Sequence, residues 1–190
     1  MISKKIKKGV KKRFFEASIP LTASKVYLYH YSPENLAGSI VKIDLTKSLR
    51  GKNLELRAKI KQNGEKLEGE LISLQLLSSY LKKIIYRGTD YVEDSFKVDC
   101  KDSTLRIKPL LITRNKVSRQ VLKSIRNTAK KHLEGKIKIK TAEEIFSDII
   151  TNKLQKELSL KIKKIYPLAI CEIRMLEVLA PIDKKSKTEN

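Results

Sequence analysis

Arg119, Lys123, Arg126 and Lys130 recur at i, i+4, i+7 and i+11 of "KVSRQVLKSIRNTAKKHLEG" (116–135). That spacing stacks side chains on one stripe of an α-helix. Such a stripe suits a phosphate backbone, which arginine grips with a bidentate fork and lysine as a point charge. Val121, Leu122, Ile125, Ala129 and Leu133 form an apolar face beside it, so the cations lie on the flank of a helix docked on a core. Their long stems can run along a groove while the charged heads stay in water. Solvation alone also accounts for cations on a helix face. Two features favour phosphate contact: the stripe carries no acid of its own for i,i+4 pairing, and Arg114 and Lys116 extend it at the helix entrance. A second cationic group, Lys4, Lys5, Lys7, Lys8, Lys11, Lys12 and Arg13, runs directly into Phe14 and Phe15. Adjacent aromatics at the end of a basic arm either anchor the arm to the domain or stack on unpaired bases.

Residues suited to catalysis are sparse. The chain has no GxxxxGK[ST] loop, no GxGxxG and no HExxH. His30 and His132 stand in ordinary elements. Lys130 and Lys131 beside His132 oppose its protonation, and an imidazole facing RNA stays open as a reading. Glu143, Glu144 and Asp148 fall at the start of a helix, where capping and the helix dipole explain them better than a metal does. Cys100 and Cys171 have no CxxC spacing and no neighbouring histidine, which fits two reduced thiols packed in a cytosolic protein. The expectation is no catalytic residue, no metal, no cofactor and no small-molecule substrate.

Charge is the strongest compositional signal. In 190 residues, 42 Lys and Arg face 21 Asp and Glu, a net charge of +21. Residues 1–13 hold seven of those cations and no acid, so +14 remains on the other 177 residues. The basicity belongs to the folded part as well as to the arm. Such a surface repels itself until a polyanion neutralises it, with nucleic acid the leading candidate and an anionic membrane second. No run of about 18 apolar residues is present, so no membrane-spanning helix is expected. The N-terminus lacks the apolar stretch of a secretory signal, and its lysine-dominated run with Gly9 is unlike a mitochondrial presequence. With 41% hydrophobic residues the chain can bury a core.

The elements that must position these residues follow from periodicity. Alternation predicts strands in "SKVYLYHY" (24–31), "GSIVKIDL" (38–45), "NLELRAKIKQ" (53–62) and "KLEGELISLQ" (66–75), with turns at Pro33 to Asn35, Arg50 to Asn53 and Asn63-Gly64. The Asn-Gly pair signals a hairpin. "LLSSYLKKIIYRG" (76–88) reads as a helix with Leu77, Leu81, Ile84 and Ile85 on one face and Gly88 as its stop. Strands follow at 95–101 and 104–113, the second expected to be an edge or to carry a bulge at Pro109. The basic helix 116–135 closes on Gly135 in this reading. Thr141 and Glu144 form a capping box opening 141–166, as one long helix or two, and 167–181 alternates as a closing strand. Strands first and helices later predict an α+β fold with an antiparallel sheet or partly open β-barrel. One domain spans 14–182, between the basic arm 1–13 and a polar, disordered tail 183–190.

The order of these segments resembles the archaeal and eukaryotic S-three-a-e family of small-subunit ribosomal proteins. "LLSSYLKKII" followed by "YRGTDYVEDSFKVDCKDSTLRIKPLLIT" (86–113) is similar to the family's central segment, through Arg87-Gly88-Thr89, Phe96-Lys97-Val98, Asp102 and Thr113. "KKRFFEASIP" (11–20) resembles its Lys–aromatic–aromatic–Pro opening, with Phe14 and Phe15 where a Trp-Tyr pair is usual. The basic helix around Ile125-Arg126, "IYPL" (165–168) and "EIRMLEVL" complete the ordered set. The segment "LAGSIVKIDLTKSL" (36–49) departs from it: Ser39, Lys42 and Lys47 stand where the family shows an Arg and two acids. The chain is shorter at both ends than eukaryotic members, as in an archaeal or reduced form. The resemblance implies a structural, non-enzymatic component of the small ribosomal subunit in the cytoplasm. It would sit on the platform near the messenger exit as a monomer within the particle, bound to small-subunit ribosomal RNA and neighbouring ribosomal proteins. It adds Arg87 to the expected RNA contacts and implies that Phe14 and Phe15 pin the arm. The alternative is a free-standing nucleic-acid-binding regulator or architectural protein.

Overall fold

A computed structural model describes residues 11–22, 25–47, 49, 52–64 and 66–181. Lys4, Lys5, Lys7, Lys8, Arg50 and the tail 183–190 lie outside the described residues. Among the described residues, nine strands and four α-helices give the expected α+β class, with strands early and helices late. Strand pairing is mixed and open. The chain divides into two compact units, 1–42 with 57–72, and 43–56 with 73–190.

The first unit begins with a strand that the sequence pattern conceals, β1 (Arg13–Ser18). It runs antiparallel to β2 (Val26–His30), with Phe14 opposite Tyr29 and Phe15 opposite Leu28. Consecutive side chains on a strand point to opposite faces. Phe15 therefore turns inward onto Ala17, Leu36, Ile60 and Leu67, together with Leu28 and Val41, while Phe14 stays 70% exposed. The remaining strands are β3 (Ile40–Asp44), β4 (Leu54–Asn63) and β5 (Lys66–Leu76), close to their expected spans. The parallel pair is β1 with β5, Ala17 opposite Leu67. Gly64 takes a left-handed φ of 63° at the β4–β5 turn, as the Asn-Gly signal requires of its second residue, and Asn63 remains in the strand. Gly69 serves close approach: a Cβ there would lie 2.8 Å from Ile19 Cγ1 and 3.3 Å from the Ala58 methyl.

The second unit is organised by β8 (Ser103–Thr113) and β9 (Leu168–Pro181), paired antiparallel along their length. β6 (Tyr91–Glu93) and β7 (Phe96–Asp99) share the other side of β8, and the last turn of β5 pairs with β9. Pro109 is not on an edge. The β8–β9 register shifts between Lys108 and Pro109, and on the other side Pro109 falls in the gap between Leu110, paired to β6, and Ile107, paired to β7. The missing N–H is accommodated by that bulge and gap.

Helix α1 (Ser78–Ile84) places Ile84, with Tyr80 and Leu81, on Leu110, Ile112 and Ile170. It is shorter than expected. Ile85 is already extended and exposed, so Gly88, at φ 91°, makes a turn beyond the helix rather than ending it. Helix α2 (Arg119–Ile137) likewise runs through Gly135 instead of closing on it. The reason is Ile137, which is fully buried. Its burial is worth about 1.5–3 kcal/mol against about 1 kcal/mol for an interior glycine. The 141–166 segment resolves into two helices, α3 (Ala142–Ile150) and α4 (Lys153–Ile162). Thr141 and Glu144 make both bonds of the capping box. The break is at Asn152, in the left-handed conformation asparagine tolerates, with φ 60°. Lys52 reaches this break: its Nζ donates to Asn152 Oδ1 at 2.7 Å and lies 2.5 Å from Glu172 Oε2 on β9. Both charged side chains are nearly enclosed, 10% and 14% exposed. The α2 core face (Ile125, Ala129, Leu133) and α3–α4 (Phe146, Ile149, Leu158, Ile162) complete the second unit's core.

Both cysteines are free thiols. Cys100 is buried against Ser103, and burial pushes the pKa of the half-buried Cys171 thiol up to about 12.

Removing Lys52 leaves the Glu172 carboxylate enclosed without its counter-charge. Lys52→Met is expected to lower stability by about 3 kcal/mol, a fall in Tm of about 6–12 °C for a chain of this size by thermal denaturation. For Cys171, the folded thiol stays neutral where an unfolded one ionises. Its contribution to stability is therefore complete below pH about 9 and is lost as the pH rises from there through about 12. Alkylation at pH 8 should mark Cys171 in denaturant and spare it in the native protein, read by mass spectrometry.

Candidate nucleic-acid interface

The entrance to α2 is held by a small hydrogen-bond latch. Thr113, the last residue of β8 and fully buried, receives the Asp90 N–H on its Oγ1 at 3.0 Å, and its own N–H donates to the Asp90 carbonyl at 2.9 Å. The Asp90 carboxylate accepts the Val117 N–H at 2.9 Å. One aspartate thus ties the end of β8 and the approach to α2 to the turn that follows α1. Arg114 and Lys116, on the segment between the two anchor points, are exposed. So is Arg87, three residues ahead of Asp90 in the turn that carries Gly88. The latch draws the Arg87 turn and the α2 entrance to the same locality, two groups that sequence spacing alone leaves apart.

Ser118 precedes α2 without a side-chain cap bond, and the first turn has no acid but does have Arg119. A cation at a helix N-terminus opposes the helix dipole. Uncapped N–H groups beside Arg114, Lys116 and Arg119 lower the stability of the free protein and suit an anionic oxygen. Along the helix, Arg119, Lys123, Arg126 and Lys130 are all exposed, while Ile125, Ala129 and Leu133 are buried. The stripe is where the spacing put it. Val121 and Leu122 are half-buried.

One expectation for the stripe is corrected. Glu134 lies four residues after Lys130 and approaches its Nζ at 4.0 Å, and the same ammonium lies 5.8 Å from the centre of the Phe96 ring. Lys130 is therefore partly engaged within the protein, and Arg119, Lys123 and Arg126 are the stronger candidates. The acids nearby are committed elsewhere: Glu157 to Lys136 at 2.8 Å, Asp148 to Lys140, Glu177 to Arg106 at 3.4 Å and Glu93 to Arg174. Asp148 and the capping Glu144 are thus occupied, and among the described residues no three His, Cys, Asp or Glu side chains converge on a cation site.

His132 is held below its ordinary range, first by burial and then by Lys161 and Lys136, with Glu157 opposing. Lys161 Nζ approaches Nδ1 at 3.5 Å. The direction is the expected one but the cause differs. Burial and a lysine from α4 act on the ring, not the sequence neighbours Lys130 and Lys131. Half-buried and turned toward Lys161, His132 is not part of the stripe.

In the first unit, Lys11, Lys12 and Arg13 are exposed, and Arg13 opens β1. The two phenylalanines do not act alike: Phe15 anchors, and Phe14 faces out with its ring 4.8 Å from Tyr29. Lys12 Nζ lies 5.5 Å from the Tyr29 ring and 5.2 Å from Tyr31. Tyr27 and Tyr29 went unnoticed as candidate contacts. The signal was present in "VYLYHY", where three tyrosines at period two share one face of a strand.

Comparison with known proteins gives the same direction. The chain is 29% identical over 190 residues to the small ribosomal subunit protein eS1 of Nanoarchaeum equitans, covering 96% of each chain. It is 33% identical over 117 residues to eS1 of Methanothermobacter thermautotrophicus, 61% of this chain and 60% of that one. A third relative, eS1 of Methanothrix thermoacetophila, is 25% identical over 153 residues, 78% of this chain and 72% of that one. The model of the ribosomal S3Ae family matches residues 3–181, and the chain belongs to that family.

Proposed function

We propose that this protein is a structural constituent of the small ribosomal subunit that binds small-subunit ribosomal RNA through its basic arm and the flank of α2. Its place is the platform near the messenger exit, in the cytoplasm, as a monomer among neighbouring small-subunit proteins. It has neither catalytic role nor cofactor. The observation that carries this reading is the row Arg119, Lys123 and Arg126, continued by Arg114 and Lys116 at an uncapped helix start, on a chain of net charge +21. The family, and a relative named as a small-subunit protein over 96% of this chain, support the particle as its setting. Recognition on this flank is of backbone and shape: arginine and lysine on a helix side meet phosphate oxygens, whatever the base.

With ~6–10 phosphate contacts, affinity for naked ribosomal RNA should fall by ~10³–10⁵ between 50 and 200 mM salt. Arg119→Ala with Arg126→Ala should flatten that salt slope by about 2, one per phosphate lost, and deplete the protein from small subunits on a sucrose gradient while its Tm holds. Wild-type protein that never sediments with small subunits would sink the reading. Asp90→Ala tests the latch. It leaves the Val117 N–H without its carboxylate, is expected to cost about 1–2 kcal/mol, and should weaken RNA association although no cation is removed.

A further inference from the structure

The outer face of the β1–β2 ribbon is aromatic. Phe14 is 70% exposed, Tyr27 63% and Tyr29 55%, while Phe15, one residue on, packs against the unit's core. The register explains the grouping: Phe14 pairs with Tyr29 and Glu16 with Tyr27, so all four side chains leave the sheet on one side. Phe14 and Tyr29 stand 4.8 Å apart and tilted by 38°. Tyr27 is two residues along β2, ~7 Å away. A solvent-facing aromatic cluster of this kind marks a surface that is covered in the working state.

What covers it is set by the charges around it. Lys12 leans over Tyr29 and Tyr31, on the same side of the ribbon as Phe14, while Arg13 alternates to the other face. The acid on this face, Glu16, is closed by Lys25 at 2.5 Å, and Lys25 is held further toward its charged form by that contact. An occupant must therefore offer flat π faces to the rings and negative charge to the cations beside them. A duplex does not fit, because its base faces are stacked on one another. Unpaired nucleotides present both features on alternating groups of one strand.

We infer that the β1–β2 ribbon is a binding surface for single-stranded RNA, with bases stacked on Phe14, Tyr29 and Tyr27 and the phosphate beside them met by Lys12. The inference rests on the RNA-binding role proposed above and adds a second mode to it: the α2 flank takes backbone, and the ribbon takes base faces. It also revises the expectation that both phenylalanines serve as an anchor, since only Phe15 is committed to the core.

The test uses the full chain and two labelled probes, a ten-nucleotide RNA without self-complementarity and a closed RNA hairpin, at physiological salt. Phe14→Leu with Tyr29→Leu keeps apolar bulk on the strand and removes the ring faces. Single-strand affinity should drop by ~10–100-fold in that variant, with hairpin affinity within about twofold of wild type. The exchange Phe14→Tyr with Tyr29→Phe should bind the single strand normally. The chain has no tryptophan, so its emission comes from tyrosine, and the single strand should quench it. Three results would overturn the inference: undiminished single-strand binding by the leucine variant, equal loss of both probes, or normal single-strand binding with failed incorporation into small subunits, which would assign the face to a neighbouring protein. If wild type binds the hairpin alone, stacking fails and the α2 reading stands. Binding of neither probe defeats both.

Discussion

The ladder between β8 and β9 is the constraint on which the second unit depends. β8 is buried continuously from Pro109 to Thr113, which happens only when both faces and both edges of a strand are occupied. One face takes α1 through Ile84; β9 carries α3 and α4, and α2 lies against β6 and β7. β8 also ends where the function begins. Thr113 closes the ladder and, in the next two bonds, fixes Asp90 and through it the approach to α2. The approach to the basic stripe is thus fixed by a threonine and an aspartate that contribute none of its positive charge.

Electrostatics in the folded chain follows from a shortage of acids. With 21 carboxylates for 42 cations, placement decides which cations stay available. The structure spends its acids on Lys25, Lys52, Lys61, Lys136, Lys140, Arg106 and Arg174. Most of these pairs are exposed or half-exposed, and solvent screening leaves such pairs little weight in stability. For the proposed phosphate contact their placement would matter more than their strength, because a carboxylate paired away from α2 is not set beside the stripe. Lys52 differs. Enclosed against Glu172 and Asn152, it cross-links the start of β4's approach, the α3–α4 break and β9, at three points far apart in sequence.

Legibility in the sequence tracked how long each pattern ran. Seven strands with sustained alternation were readable, as was the α2 stripe, because four cations over twelve residues allow little besides one helix face. β6, at three residues, is too short to show a period. β1 was hidden because its cations merge with the arm and Phe14-Phe15 looks like one aromatic unit, when period two must send the rings to opposite faces. Glycine misled twice. Gly88 and Gly135 follow apolar runs as stops should, yet one turns the chain toward Thr113 and the other is carried through by the burial of Ile137. The sequence reading leaves 141–166 as one helix or two because no Pro or Gly marks a break within it. The left-handed Asn152 and its lysine partner from a hundred residues away decided it. The Asp90–Thr113 latch had no local signal at all.

The alternation on β1 also joins two properties that are usually separate. Burying Phe15 fastens β1 to β2 and β5, and by the geometry of a strand the same act turns Phe14 outward beside Tyr29. An anchor made of one phenylalanine would have served with a polar residue at position 14. Keeping an aromatic there exposes apolar surface to water, an unfavourable choice for a free protein but a favourable one for a protein whose surface is occupied in its particle. The α2 entrance shows the same logic in electrostatic form, with Arg119 set against the dipole of its own helix. In the proposed reading, charge on α2 would supply affinity without regard to base, and ring faces on the ribbon would distinguish unpaired from paired RNA. Both features weaken the isolated chain in ways that a bound polyanion would reverse.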